Sequence, residues 1–569
     1  MTYWRHSLRP DLARPLRIDA EGRVQLGRSM RKIERRAFLK SATALAAGSA
    51  FATPAVFSAD AQSRKETLLL VTENGPNNLD IHGVGTNRPG YEASWNCYDR
   101  LITHEKKTLP DGSVVYDRDK FKPELAEDMN IGDMSATFKL KKNAKFQDGT
   151  PVTAKDVKYS FDRAVTVGGF PTVQMKAGSL VKPEQFVVVD DHTFRVDFVK
   201  KDRLTIPDLA VIVPGVYNSE LLKKNATEKD PWALEYTKSN TAGSGAYKVV
   251  SWKPGVEVIY ERNDAWVGGK LPELKKIIWR TIPSSGNRRA LMERGDADIA
   301  FDLPAKDFSE MRKEGKLTLV SNPIGNGMYS VEMNVTRPPF DNEKVRQAVA
   351  YALPYQKIVD AAMFGIARPL FGGKSNDVGT IDWPQPTAYV TDIEKAKVLM
   401  GQSGAGPIDT TISFDLGDTV NSEPIAILIQ ESLASIGINA TINKVPGSNW
   451  RSEMAKKSMP LLVNFFSGWL DYPEYFFFWC YSGQNAVFNT PSYVNKDMDA
   501  LIDGARAAAA VGDKANYDKN VEGFISKAWH EVPRVPMFQP YLNVAMQKNI
   551  SGYSYWFHRQ VDYRSLVKA

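Results

Sequence analysis

The residues best placed to do chemistry lie late in the chain, where one acid is set among aromatic rings. Phe465-Phe-Ser-Gly-Trp-Leu-Asp-Tyr-Pro-Glu-Tyr475 carries Asp471, and Trp469, Tyr472, Phe476, Phe477, Phe478, Trp479 and Tyr481 crowd about it. Rings at that density build a core, or in part a slot for an apolar side chain. Bond-making chemistry is not spelled out anywhere. There is no Gly-x-Ser-x-Gly, no Walker lysine loop and no His-Glu-x-x-His. The six histidines (His6, His82, His104, His192, His530, His558) are scattered and Cys-x-x-Cys is absent, so no metal, thiol or cofactor site is expected. Asp296 and Asp298 fit a turn and a helix cap better than acid–base work. The expectation is recognition without catalysis.

These side chains need a scaffold larger than one core. At 569 residues, two or three structural units are expected. An apolar strand, Thr67–Thr72, ends in the turn-rich Glu73-Asn-Gly-Pro-Asn-Asn78, and a helical pattern runs from Tyr91 to Leu101. Lys106–Lys122 reads as a polar hairpin or loop. A turn at Asp148-Gly149 leads to Thr153 and Asp156, a capping-box spacing, and to Val157, Phe161 and Ala164 on one helical face. Phe186–Phe198 alternates like a hairpin, and strands are expected at Tyr247–Trp252, Val256–Arg262 and Ile277–Ile282. Longer helices follow, among them Asp341–Leu353 and Pro424–Ile436, with a strand at Asn439–Ile442 and a Pro-bounded extended segment at Val535–Tyr541. Irregular alternation of this kind implies an α/β fold with mixed sheets and more than one lobe.

The net charge of +7 does not point to nucleic acid. Residues 1–61 hold 11 Lys/Arg against 5 Asp/Glu, leaving 62 and 61 in the rest, so the body is close to neutral. The basic stretch reads as an export leader. Arg31–Lys40 carries the twin arginines Arg35 and Arg36, a mildly apolar run follows from Ser41 to Phe57, and Ala59-Asp-Ala61 offers a cleavage site. Glu34 stands where Ser or Thr is more usual in twin-arginine leaders. Met30 is the expected true start, and the apolar run is too short to span a membrane. Cys97 and Cys480 are expected as buried free thiols, with a bridge as the less favoured alternative.

Several segments, in order, carry a resemblance. Thr137-Phe-Lys-Leu-Lys-Lys-Asn-Ala-Lys-Phe-Gln-Asp-Gly-Thr-Pro-Val-Thr-Ala-Lys-Asp-Val157, Asn240–Tyr247, Glu261–Gly269, Arg294-Gly-Asp-Ala-Asp-Ile-Ala300, Pro338–Ala348 and Ile436-Gly-Ile438 together resemble the large extracellular solute-binding proteins of ABC importers, the peptide/nickel-binding family. Ser244 and Ala246 depart from the pattern. The resemblance implies a bilobed periplasmic-binding-protein fold, class II-like and of the three-domain type, with a hinged ligand cleft. It implies lobe I from 62–106, 240–322 and 535–569, an inserted domain at 107–239, and lobe II at 323–534, with crossings near Ser321–Gly327 and Glu531–Tyr541. It implies a periplasmic monomer that captures di- or oligopeptides for an ABC permease. The same fold with a non-peptide solute (an opine, oligosaccharide, haem, glutathione or nickel complex) stays open, as does, remotely, an exported redox enzyme holding a cofactor.

The resemblance also assigns a site. Asp471 falls on the family acid that pairs with the α-ammonium of a bound peptide. A buried charge left without its partner costs about 3–5 kcal/mol. Gly468, Trp469 and Tyr472 flank it, although Trp469 stands two residues before the acid rather than three, and Tyr475 replaces a proline. Asn74 and Pro76 fall on a segment that lends backbone to an extended ligand, and Phe170 on a cleft aromatic. The alternative for Asp471 is a plain turn or cap. Trp266 and Tyr247 read as structural.

Overall fold

The computed structural model describes residues 64–375, 383–485, 488–556 and 560–569. The expected leader, with Arg35, Arg36 and the cleavage site near Ala61, lies outside the described residues, as does His558.

β1 (Thr67–Thr72) forms where expected. A hairpin of β2 (Ile102–Thr108) and β3 (Val114–Pro123) follows, and then a four-stranded antiparallel sheet of β4 (Ala126–Ile131), β5 (Ser135–Leu140), β6 (Phe186–Asp190) and β7 (Thr193–Asp197), in the order β4-β5-β7-β6. Further strands are β8 (Tyr247–Lys253), β9 (Glu257–Arg262), β10 (Lys276–Thr281), β11 (Ile299–Ala300), β12 (Thr318–Pro323), β13 (Gly327–Met333), β14 (Ala367–Pro369), β15 (Ile408–Asp415), β16 (Ile438–Val445), β17 (Leu461–Ser467) and β18 (Arg534–Met546). They join β1 in one mixed sheet ordered β16-β15-β17-β13-β18-β11-β1-β10-β9-β8. β1 is parallel to β10 and β11, and β15 is parallel to β16 and β17, while β13 is antiparallel to β17 and β18. The mixed α/β class read from the sequence is what the chain adopts.

β18 holds the sheet together. Tyr541 through Met546 pair with β12, whereas Arg534 through Phe538 pair with β13. Between them, Ile324 donates from its N–H to the Pro540 carbonyl at 3.0 Å, and Gln539 Nε2 donates to the Ile324 carbonyl at 2.8 Å. The chain thus passes between the two halves of the sheet at residues 324–326 and 539–540. Two large cores flank this seam. One gathers Leu70, Trp95, Phe138, Phe161 and Tyr247 together with Trp469, Phe477 and Trp529. The other gathers Val331, Val349, Ile412, Ile429, Val463 and Phe538.

The capping box forms as its spacing predicts. Asp156 Oδ2 accepts from the Thr153 N–H at 2.9 Å, and Val157, Phe161 and Ala164 are buried along the helix Ala154–Thr166. Arg163 on that helix meets Asp80 at 2.6 Å in full burial, and Thr237, Tyr217 and the His82 N–H also donate to the carboxylate. This segment is scaffold.

Two helix boundaries differ from expectation. The helix expected over Tyr91–Leu101 runs instead over Arg88–Cys97, started by Asn87, whose side chain accepts from the Gly90 N–H. Beyond Cys97 the backbone is drawn into other bonds, since Arg100 and Leu101 carbonyls accept from Leu125 and Glu124. The helix expected from Pro424 starts at Thr419 and carries Pro424 inside, so proline costs it one internal bond rather than setting its start. Cys97 and Cys480 are buried free thiols, as expected. Trp266 and Tyr247 are buried too, the first donating to Asp99 at 2.9 Å and the second to the Leu274 carbonyl at 2.9 Å.

Candidate functional site

The loop that carries Asp471 leaves β17, turns through residues 468–472 and enters the helix Pro473–Cys480, with proline suited to the first turn. Gly468 is required by a close approach, because a Cβ there would lie 2.4 Å from a ring carbon of Tyr475. The loop is latched by Asn326, which lies between β12 and β13 with φ +49. Asn326 Nδ2 donates to the Leu470 carbonyl at 2.6 Å, and the Asn326 carbonyl accepts from the Gly468 N–H at 3.2 Å. The Asn326 N–H donates to Asp471 Oδ1 at 3.0 Å.

Asp471 is half-buried at the point where the β2–β3 hairpin reaches the loop. Arg118 Nη1 donates to the Asp471 carbonyl at 2.8 Å. The second carboxylate oxygen, Oδ2, faces Gly325, beside the Tyr116 hydroxyl. Burial pushes the Asp471 carboxyl above its usual range, and the Arg118 charge and the Asn326 N–H oppose that push. Tyr472 turns its ring between Arg118 and Arg203, 5.4 Å and 4.4 Å from their guanidinium carbons, and its hydroxyl donates to the Arg118 carbonyl at 3.0 Å. Tyr472 therefore secures the loop to the hairpin.

Trp469 packs in a cluster of three rings. Its centroid is 5.5 Å from Tyr91 and 6.2 Å from Phe170, and those two stack 5.7 Å apart. The structure therefore brings together two residues singled out in sequence, Trp469 and Phe170, and adds Tyr91. Tyr475 donates to Gln174 Oε1 at 2.5 Å, and Gln174 Nε2 in turn donates to the buried Asp208 at 2.6 Å.

Asn74 and Pro76 lie in the turn after β1, where their neighbours bond within the turn and to Asn87. Asn74 is exposed and Pro76 buried, and the Asn74 carbonyl accepts from Thr72 Oγ1 at 2.8 Å. Asn87 Nδ2 binds the Gly75 carbonyl at 2.9 Å, and the next residue, Arg88, lies 5.1 Å over the Phe465 ring on β17. Glu73 is ion-paired with Arg288 at 3.6 Å; burial and then the Asp302 charge raise its carboxyl, with a contribution from Asp418. Acids from both halves of the sheet thus feel one another here. Among the described residues, no group of three or more His, Cys, Asp or Glu could hold a metal ion.

Sequence reasoning missed Arg118, Asn326, Tyr91 and Gln174. Only Asn326 left a signal, as the middle of Gly325-Asn326-Gly327 in a crossing already singled out. Arg118 sits in a polar hairpin that reads as solvent-facing.

The family model for bacterial extracellular solute-binding proteins, family 5 (middle) matches residues 120–488. The protein named "Probable D,D-dipeptide-binding periplasmic protein DdpA" of Escherichia coli is 27% identical over 494 residues, covering 86% of this chain and 91% of that protein. The glutathione-binding protein GsiB of Salmonella typhi is 27% identical over 471 residues, covering 81% and 88%. Among solved structures, the Helicobacter pylori periplasmic binding protein DppA in complex with the peptide STSA superposes with a TM-score of 0.75 at 20% identity, covering 89% and 99%. A Pseudoalteromonas dipeptide-binding protein in complex with Met-Leu gives 0.74 at 20% identity, covering 88% and 100%. These likenesses show the fold. No helix among the described residues is long and apolar enough to cross a membrane.

Proposed function

Because this chain belongs to the bacterial extracellular solute-binding proteins of family 5, we propose that it captures peptides in the periplasm and presents them to an ABC permease, without catalysing a reaction. The observation that carries this reading is the setting of Asp471. Its carboxylate is fixed by a backbone N–H where the chain passes between the halves of the sheet, and a ring cluster lies close by in the same loop. An acid held there suits an α-ammonium, which loses its water on entry and needs a charge in return. DdpA, by its name a dipeptide binder, and the peptide complexes of the structural neighbours support the same class of ligand.

A hinge at the two crossings is supported by β18, which pairs on both sides of the seam, although its residues 534–538 pair with β13, so that this crossing falls nearer 539–540 than the boundary at 534/535 read from sequence. A ligand touching both lobes would favour closure by its differential affinity. Export as a monomer through the Arg35-Arg36 leader, with cleavage near Ala61, completes the proposal.

The test is a thermal-shift screen of di- to pentapeptides against the wild type and Asp471→Asn. Stabilisation of the wild type that is lost in the variant supports the reading. No stabilisation by any peptide overturns the peptide assignment, and equal stabilisation of both overturns the role of Asp471.

A further inference from the structure

Asp471 does not stand alone as an anion, because Arg118 meets it from a strand 353 residues away. Besides the 2.8 Å bond to the Asp471 carbonyl, Arg118 presents its own carbonyl to the Tyr472 hydroxyl at 3.0 Å and its guanidinium to the Tyr472 ring at 5.4 Å. One residue therefore grips two successive positions of the loop. Its Nε also lies 3.4 Å from Asp119, an exposed acid, so its charge is shared between Asp119 and Asp471.

We propose that Arg118 is a specificity-determining residue: it positions the Asp471 main chain and holds an opposing charge beside the carboxylate, so that the site selects ligands with a free ammonium over neutral ones. This rests on the peptide reading above for the ligand, but not for the state of Asp471 itself. Burial favours a protonated carboxyl, which would only accept or donate a neutral hydrogen bond. The groups facing Asp471 are few. The hairpin offers Arg118, Asp119, Lys107 and the Tyr116 hydroxyl, residue 326 offers its N–H, and Tyr472 adjoins in the loop. The Tyr555 hydroxyl accepts from the Gly325 N–H at 2.8 Å. Of the two cations, Arg118 acts more strongly on the carboxylate than Lys107.

The experiment follows the Asp471 carboxyl carbon by NMR through a pH titration of the ligand-free chain, in the wild type, Arg118→Met, Arg118→Gln and Arg118→Lys. It then compares the affinity of each for a free-amino peptide and its N-acetyl counterpart. The Asp471 midpoint is expected to rise by about one pH unit in Arg118→Met and Arg118→Gln, and the preference for the free-amino peptide, compared at the pH of the wild-type midpoint, to fall about fivefold, as the ionised fraction drops from one half to about one tenth. Arg118→Lys is expected to restore the midpoint while losing affinity, because an ammonium lacks the planar fork that serves carbonyl and charge together. An unchanged midpoint in folded Met and Gln variants, or parallel weakening of both peptides, overturns the proposal. A wild type that binds neither peptide overturns the peptide reading alone, since the ligand-free titration still decides what Arg118 does.

Discussion

Tyr475 and Gln174, 301 positions apart, share a hydrogen bond of 2.5 Å in full burial. It links the helix after the Asp471 loop to the helix Gly169–Ala177, whose Phe170 stacks on Trp469. The loop is thus braced from its inner side by residues far away in sequence. Tyr475→Phe leaves Gln174 Oε1 buried without this donor and is expected to cost about 1–3 kcal/mol. Denaturant unfolding of the variant against the wild type measures this, and a change below experimental error would show that the bond is not made.

Gly468→Ala places a Cβ 2.4 Å from the Tyr475 ring and 3.0 Å from Asn326 Nδ2. The ring cannot retreat without disturbing the Gln174 bond, so an overpacking cost of about 1–3 kcal/mol is expected. Peptide affinity should fall with it, because Asn326 also holds Asp471. Calorimetric melting and peptide titration of the same variant check both outcomes.

The Asp208 carboxyl carries a pH signature. Burial raises it from 3.8 to about 8, with Gln174 and Gly178 bonds opposing. A raised folded value means that its stabilising contribution is whole below about pH 4 and is lost as pH rises towards 8. Asp208→Asn keeps an acceptor for Gln174 and removes that slope. Unfolding free energies measured between pH 5 and 8 should therefore fall less steeply in the variant. Some slope should persist, because Glu92, also buried, is raised to about 8 as well.

Cys97 and Cys480 are both free and buried in the core, and burial pushes the Cys480 thiol up to about 12. The folded protein should resist thiol reagents at pH 8, and two thiols should react on unfolding without prior reduction. Mass spectrometry after alkylation counts them.

Much of the framework was legible in the chain because local chemistry decides it. β1 begins and ends where an apolar run meets a turn, and Thr153 with Asp156 announced their helix by spacing alone. The α/β class followed from alternation. Legibility failed where a distant segment outbids local preference. Tyr98–Leu101 continues a helical pattern, yet the Asp99 carbonyl accepts from Val216 and the Arg100 and Leu101 carbonyls from residues 124–126. The aromatic run around Asp471 marked a core and a candidate site at once, and only the packing assigns Trp469 to Tyr91 and Phe170. Arg118 left no trace, since a charged residue in a polar hairpin looks solvated until a loop 353 residues later is folded against it.

The most direct test of the account is a crystal structure of the protein with a bound di- or tripeptide. The account expects the peptide's ammonium nitrogen within about 3 Å of the Asp471 carboxylate, with Asn326 and Arg118 still bonded to Asp471. An ammonium placed away from Asp471, or a peptide bound outside the region bounded by β17, the β2–β3 hairpin and residues 73–78, would contradict it.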